Sequence, residues 1–464
     1  MDAMVTSQTV SKPPRRGVDS RLGLLCAGLF CAVGALGGCS TAASAAGDAA
    51  APTEATQRPD VSAAQASAPS VAAVPAGVSP EAREAMTEVD EAAGFRRWIG
   101  EFRSQALEQG IAPGVFDATF AEVRFQPRVL ELDRSQPEFT RAVWDYLDSA
   151  VSDTRVQRGR QMLTEHRATL EAAEARYGVP AEVIVAIWGM ESNYGANFGS
   201  FSTIDSLATL GYEGRRSSWA RGELISALKI IQSGDIDRAH MVGSWAGAMG
   251  HTQFMPSSFL EYAVDGDGDG HRDIWGSIPD VVASTANYLA RNGWRAGQPW
   301  GAEVQLPAGF DYAVADMAER RATAAWQALG VAALEGESLP AFDQASLLLP
   351  AGARGPAFLV GPNFRAIMRY NNSTSYALGV ALLAQRLSGG AGVQGDWPRD
   401  LVMLSRTQVR ELQTLLGQRG FDAGTPDGVI GPATRGAMRA FQRSQGLPGD
   451  GFPTLTLLER LREQ

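Results

Sequence analysis

Apolar residues recur every three to four positions through several long stretches of this chain. That period fits a helix and little else. FRRWIGEFRSQALEQGI, RVQRGRQMLTEHRATLEAAEARYGV, WARGELISALKIIQSG and PDVVASTANYLARNGW all carry it. The spacing predicts a mainly α globular body over 91–387. One stretch inside it, about 295–360, breaks the pattern. It holds short alternating pieces such as GAEVQL and SLLLP with Pro and Gly between them, and reads as a small β-containing insertion. Helix resumes at SYALGVALLAQRL.

The two ends of the chain are built differently. Lys12, Arg15, Arg16 and Arg21 precede LGLLCAGLFCAVGAL, an apolar run from Leu22 to Leu36 that is short for a membrane span. This is the layout of a secretory signal. Leu36-Gly37-Gly38-Cys39 resembles a bacterial lipoprotein cleavage box, which makes residues 1–38 the signal and Cys39 the lipidated first residue. An ordinary signal peptide that happens to contain a cysteine is the alternative. Residues 39–90 are rich in Ala, Ser, Thr and Pro over most of their length and predict a flexible tether. SGGAGVQGDWPRD opens a linker over 388–404, and a small final unit occupies 405–464.

Composition excludes several classes. The three cysteines are Cys26, Cys31 and Cys39, so the body carries no disulfide and no thiolate chemistry. Four scattered histidines make a His-rich zinc site a poor reading. A formal net charge of −10 argues against a general nucleic-acid binder.

The chemistry-bearing stretches are few. In YGVPAEVIVAIWGMESNYG the apolar positions Val183, Ile184, Ile187 and Trp188 lead to Glu191, where another apolar residue is due. Burial on such a face disfavours the charged form and raises a carboxyl pKa, and the helix C-terminus acts the same way. A neutral carboxylic acid can protonate a glycosidic oxygen. A helix-end glutamate turned to water is the plain alternative. Ser192 and Tyr194 in the following turn are read as a polar, aromatic lip.

Three further stretches carry candidate ligands. GSWAGAMGHTQFMPSSF offers small residues for close approach, with Ser244 and Gln253 as hydrogen-bonding groups; tight helix packing would also use them. DGDGDGHRDIW alternates Asp265, Asp267 and Asp269, turns at Gly270 and puts His271 where a carbonyl can ligate. This begins like a calcium loop. Gly276 stands where its closing glutamate belongs, and Asp280 is the substitute. In RYNNSTSYALGV, Tyr370, Asn371 and Tyr376 could stack on and bind a sugar, or Asn and Ser could simply cap a helix.

Taken together, MESNYG, AGAMGHTQFMPSS, the Asp-rich loop and RYNNS, with QPEF, WDYLDS, DSLATL and GRR, resemble the lytic murein transglycosylases of the membrane-bound type B family. The likeness runs from about Phe95 to Arg386. It implies a lysozyme-like α domain that cleaves peptidoglycan between N-acetylmuramic acid and N-acetylglucosamine, leaving 1,6-anhydromuramoyl ends. Glu191 matches the acid/base; Ser244, Gln253, Tyr370 and Asn371 match substrate positions; Asp265, Asp267, Asp269, His271 and Asp280 match a structural calcium loop. No cofactor is required for the chemistry. The final unit resembles a type 1 peptidoglycan-binding domain through Asp427, Gly428, Gly431, Pro432, Thr434, Phe441 and Gln442. The expected partners are glycan strands and, through a lipid anchor, the inner leaflet of the outer membrane, which places the enzyme in the periplasm. A muramidase on the same scaffold, using water, and a non-catalytic murein-binding scaffold are the alternatives. Asp205, the nearest candidate for a second acid, reads as a helix cap.

Overall fold

EVIVAIWGM has no charge between Glu182 and Glu191, so a helix made of it must be covered on all sides. The helix Ala181–Ser192 is covered in that way, with every residue from Val183 to Gly189 buried. The helices Asp153–Glu165, Arg167–Tyr177, Ile278–Arg291 and Thr374–Leu387 pack around it. A stripe on one face was the expectation; the whole circumference is apolar because this is the central helix of the body. The computed structural model describes residues 80–135 and 141–463. The signal, Cys39, most of the tether and the QPEF motif lie outside the described residues.

The first helix, Pro80–Glu108, starts about ten residues before the expected end of the tether. PEAREAMTEVDEAAG has a proline for the first helical turn, followed by good helix formers. Such a sequence needs no apolar face to be helical; the biased composition itself ends near residue 80, where the helix starts. No described helix is long and apolar enough to cross a membrane.

The β content is small; a four-stranded sheet lies within 295–360, and a short pair lies outside that stretch. Strands β1 (Phe201–Ser202) and β2 (Val242–Gly243) form a short antiparallel pair. Strands β3 (Gly301–Gln305), β4 (Ala332–Ala333), β5 (Ser346–Leu348) and β6 (Ala357–Val360) form an antiparallel sheet in the order β4-β3-β6-β5. Val304, Phe310, Trp326, Leu347 and Leu359 give this insertion its own core. Directly after β6, the helices Pro362–Tyr370 and Thr374–Leu387 carry the chain back against the central helix.

The final unit is a bundle of three helices, Arg406–Gln418, Pro432–Ser444 and Leu455–Glu463, closed around Leu412, Leu416, Met438, Phe441 and Leu458. A capping box at Ser405 and Gln408 starts it. Thr434 and Gln442, read from sequence as domain-defining residues, are buried hydrogen-bonding groups.

The connecting segment is strapped down rather than free. Trp397 packs 6.4 Å from both Trp144 and Phe358, measured between ring centroids. Glu303 accepts the backbone N–H groups of Gln394 and Gly395 at 2.8 and 2.7 Å. Arg399 grips Asp148 with both guanidinium nitrogens. Beyond it, Asp450 accepts from the Ala353 N–H at 2.8 Å and Arg443 donates to Asp311 at 2.6 Å. Glycine-rich composition suggests mobility, but one tryptophan and a few backbone N–H groups outweigh it.

Candidate active site

The central helix stops at Glu191 and Ser192 because Asn193 takes a left-handed conformation, φ 51°, and its N–H closes on the Trp188 carbonyl. Tyr194 follows, also left-handed, φ 59°. This double reversal turns the Tyr194 ring back under the helix, where its hydroxyl donates to the Arg155 carbonyl at 2.8 Å. A Cβ on Gly189 would stand 2.6 Å from that ring, so the turn requires glycine at position 189. Ser192 is buried too: its hydroxyl donates to the Trp188 carbonyl and accepts the Gly195 N–H. Ser192 and Tyr194 were expected to face a ligand. They are corrected here to the frame of the turn, because the left-handed residues rotate both inward.

Glu191 is left half-buried at the edge of the core. Burial pushes its carboxyl up to about 7, against a smaller opposing effect from a hydrogen bond. The donor of that bond is Tyr376, 2.5 Å from Oε1. Tyr376 lies in the first turn of Thr374–Leu387, a helix capped by Ser373, so the cap fixes the phenol's position. Its own pKa is held well above the ordinary value, first by burial and then by the nearby Glu191 charge.

Two more phenols complete the surroundings. Tyr370 ends the helix Pro362–Tyr370 and donates to the Thr252 carbonyl at 2.7 Å. Its pKa is likewise raised, by burial and then by Glu191. Asn371, next in the chain, is buried at the same helix end. Tyr146, on the helix Val143–Ala150, is pushed to about 12 by burial and by Glu191. Tyr146 was not singled out from sequence, although the WDYLDS stretch that contains it was. An aromatic at helical spacing in a short amphipathic helix looks like core until its neighbour is known.

The loop expected to approach a ligand does come to this side. Tyr370 bonds to its Thr252. Ser244 accepts the Ala248 N–H and closes a tight turn. Gln253 sits at φ 52° with its amide nitrogen donating to the Phe198 and Gly250 carbonyls. His251 accepts from the Trp188 indole at 3.1 Å and lies against Gly195, where a Cβ would stand 2.2 Å from the ring. The loop is thereby locked onto the Glu191 helix. Asp205 is not a second acid at this site. It is ion-paired with Arg238 at 2.8 Å, and Ser202, not Asp205, caps its helix.

In the Asp-rich loop, Asp265, Asp267 and Asp280 bring one carboxylate oxygen each within 4.8 Å of one another. Asp265 accepts N–H groups from Gly268 and Gly270. Asp280, fully buried, accepts from Gly266 and Asp273. Three convergent carboxylates held by backbone N–H groups fit a divalent cation. Asp269 is not brought into this cluster; its carboxylate accepts the His271 N–H. The His271 side chain is exposed.

A desolvated carboxylic acid at a helix end, ringed by phenols and faced by a small-residue loop, defines a lysozyme-like enzyme that cleaves glycosidic bonds. Residues 94–385 match the family model described as the transglycosylase SLT domain. Residues 405–461 match a putative peptidoglycan-binding domain. Over 252 residues the chain is 36% identical to the membrane-bound lytic murein transglycosylase B of Escherichia coli (strain K12), covering 52% of this chain and 66% of that relative. The structure of SltB3 from Pseudomonas aeruginosa in complex with NAG-anhNAM-pentapeptide aligns with TM-score 0.77 and 55% identity, over 79% of this chain and 99% of that one. The Escherichia coli lytic transglycosylase Slt35 in complex with calcium aligns with TM-score 0.53 and 32% identity, over 62% and 92%. The chain belongs to the SLT family of lytic transglycosylases and carries a peptidoglycan-binding domain at its C-terminal end.

Proposed function

We propose that this protein cleaves the bond between N-acetylmuramic acid and N-acetylglucosamine in peptidoglycan with Glu191 as the single acid/base. The observation that carries the reading is the Glu191 carboxyl, raised to about 7 and oriented by Tyr376. Near neutral pH a large fraction of it is protonated. It gives its proton to the glycosidic oxygen as the bond from muramic C1 breaks. The carboxylate so formed takes the proton of the C6 hydroxyl on the same muramoyl residue, and that oxygen bonds to C1. The products are a 1,6-anhydromuramoyl end and a new glucosamine 4-hydroxyl, with no water consumed and Glu191 reprotonated. An intramolecular nucleophile spares the enzyme a second carboxylate. In support, the groups acting on Glu191 are its burial and Tyr376, with no second acid among them. A similar protein, SltB3, has been solved with a NAG-anhNAM-pentapeptide.

Tyr376 holds Oε1 and favours the carboxylate after proton transfer. Tyr370, Asn371, Tyr146, Ser244 and the Gln253 amide oxygen form the surroundings that receive the sugar. Asp265, Asp267 and Asp280, with the His271 carbonyl, hold a calcium ion that braces the loop; a similar lytic transglycosylase, Slt35, is known in complex with calcium. Lipidation at Cys39 and the segment after it tie the enzyme to the periplasmic face of the outer membrane. A Cys39→Ala variant should appear in the soluble periplasmic fraction.

Mass spectrometry of muropeptides released from purified sacculi tests the reaction. Anhydromuropeptides from the wild type and none from Glu191→Gln are expected. Free reducing ends would assign the muramidase reaction instead. No product from either protein, with calcium supplied, would favour the scaffold.

A further inference from the structure

His251 touches the catalytic turn on both sides of the acid. Ahead of Glu191, its Nδ1 accepts the indole N–H of Trp188 at 3.1 Å, with the two ring planes 24° apart. Beyond Glu191, the imidazole stands where a Cβ on Gly195 would be, and Phe198 flanks it at 5.2 Å between centroids. Trp188 is also the residue on which the turn closes. Its carbonyl takes the Ser192 hydroxyl and the N–H groups of Asn193 and Tyr194.

The loop that carries His251 holds the other side of the site. Thr252, the next residue, gives its carbonyl to Tyr370, and the Gln253 amide reaches the Phe198 carbonyl. The His251 backbone N–H is fixed on the Ile274 carbonyl at 2.9 Å. One imidazole therefore joins the acid's helix to the loop that faces it, through a bond that exists in one protonation state. Neutral His251, with its proton on Nε2, offers Nδ1 as an acceptor. The imidazolium has two N–H donors and no acceptor. It would set one N–H against another and leave the buried Trp188 indole unmet, which costs free energy.

The charges around the ring work against each other. Burial holds the His251 pKa below its ordinary 6.5, against a smaller upward pull from the Asp273 carboxylate. Asp273 accepts the N–H groups of Trp275 and Gly276, and Arg272 beside it is ion-paired with Asp235. The central helix and its turn bring Glu191 and Tyr194, and His166 packs on Trp188 at 5.7 Å between centroids.

We infer that His251 is a positioning residue for the Glu191 acid, and that only its neutral form clamps the catalytic turn to the facing loop. Cleavage then fails in acid, when His251 gains a proton, as well as in alkali, when Glu191 loses its own. The inference rests on the reading of Glu191 as acid/base and adds a second titrating group that takes no part in the bond changes.

NMR titration of the full chain, with calcium held constant, reads the clamp without substrate. The imidazole signal absent from His251→Gln should titrate below pH 6.5. The indole N–H signal absent from Trp188→Phe should move with the same midpoint, and anhydromuropeptide release should fall on the acid side at that midpoint too. A glutamine at 251 can accept the indole N–H and does not titrate. His251→Gln should therefore keep kcat/KM near neutral pH within about threefold of the wild type and move the acid limb down by about one pH unit or more. His251→Phe offers no acceptor and should lower kcat/KM about tenfold at every pH, the worth of one hydrogen bond. An acid limb unmoved in His251→Gln, an indole signal indifferent to the titration, or a His251→Phe enzyme as active as His251→Gln would overturn the inference. Both signals are read without cleavage, so failure of the clamp and failure of the acid/base reading are separate results.

Discussion

The Glu191 pocket holds one acidic side chain and the Asp-rich loop gathers several, and the two surround them differently. At Glu191 a single carboxyl is surrounded by apolar groups and phenols, and burial raises its pKa to about 7. In the loop, Asp265, Asp267 and Asp280 crowd together and are held by backbone N–H groups. We propose the first arrangement as a proton donor and the second as a cation site. Asp205 is a third case: an arginine partner turns a buried acid into a structural ion pair. Burial acts first on Glu191, Asp205 and Asp280 alike, and their neighbours then differ: a phenol, an arginine and backbone N–H groups.

The largest effect that could break this comparison comes from removing the acid. Glu191→Gln should lower the rate of anhydro product formation by at least about 1,000-fold, in the upper range for a lost general acid. The same change should stabilise the fold. A carboxyl whose folded pKa lies near 7 binds its proton more tightly folded than unfolded. Its contribution is therefore present below about 4.5 and is lost as pH rises to about 7. That loss amounts to roughly 3 kcal/mol at about 1.4 kcal/mol per pKa unit. Glu191→Gln should raise stability by up to this amount at pH 8 and by little at pH 4, as urea unfolding at both pH values would show. An equal effect at both would refute the buried neutral acid.

Cation removal probes the other region. A chelator should destabilise the wild type by about 3 kcal/mol if calcium is present at about 100 times its dissociation constant. It should leave an Asp267→Asn variant nearly unchanged. Thermal unfolding with and without EDTA separates these outcomes, and the active-site pH profile should not move with either.

Tyr376→Phe sharpens the comparison at smaller cost. The Tyr376 hydrogen bond favours the Glu191 carboxylate, so its loss should move the pKa upward by about one unit, the worth of a charge-assisted hydrogen bond. Activity should then persist to higher pH with a lower maximum. Gly189→Ala should act through the frame alone. Its methyl meets the Tyr194 ring, and overpacking of this kind costs about 1–3 kcal/mol in denaturant unfolding.

Much of this was legible in the sequence, and the exceptions share a cause. Glu191 stood out because it interrupts an apolar period, and period is what sequence displays best. Tyr376 and Tyr370 were singled out because they flank an obvious helix start, and both lie near Glu191. Asp265 and Asp267 stood out by spacing and Asp280 as a substitute for the missing twelfth ligand, and these three carboxylates converge, while Asp269 fits the spacing and is not in the cluster. Ser192 and Tyr194 were misread because nothing in SNYG says that two consecutive residues adopt left-handed backbone. Tyr146 was passed over because its partner is 45 positions away in the chain. The linker over 388–404 was read by composition, which does not show that Trp397 and Glu303 hold it by long-range contacts. Local patterns were readable; side-chain direction after a reversal and pairing across distance were not.

The central claim is that a raised, protonated Glu191 donates the proton, and the pH dependence of anhydromuropeptide release under limiting substrate tests it most directly. The account predicts that kcat/KM falls as pH rises through about 7, and that this limb moves upward in Tyr376→Phe. A limb near 4.5, the range of an ordinary solvent-exposed glutamate, or one indifferent to Tyr376, would contradict it.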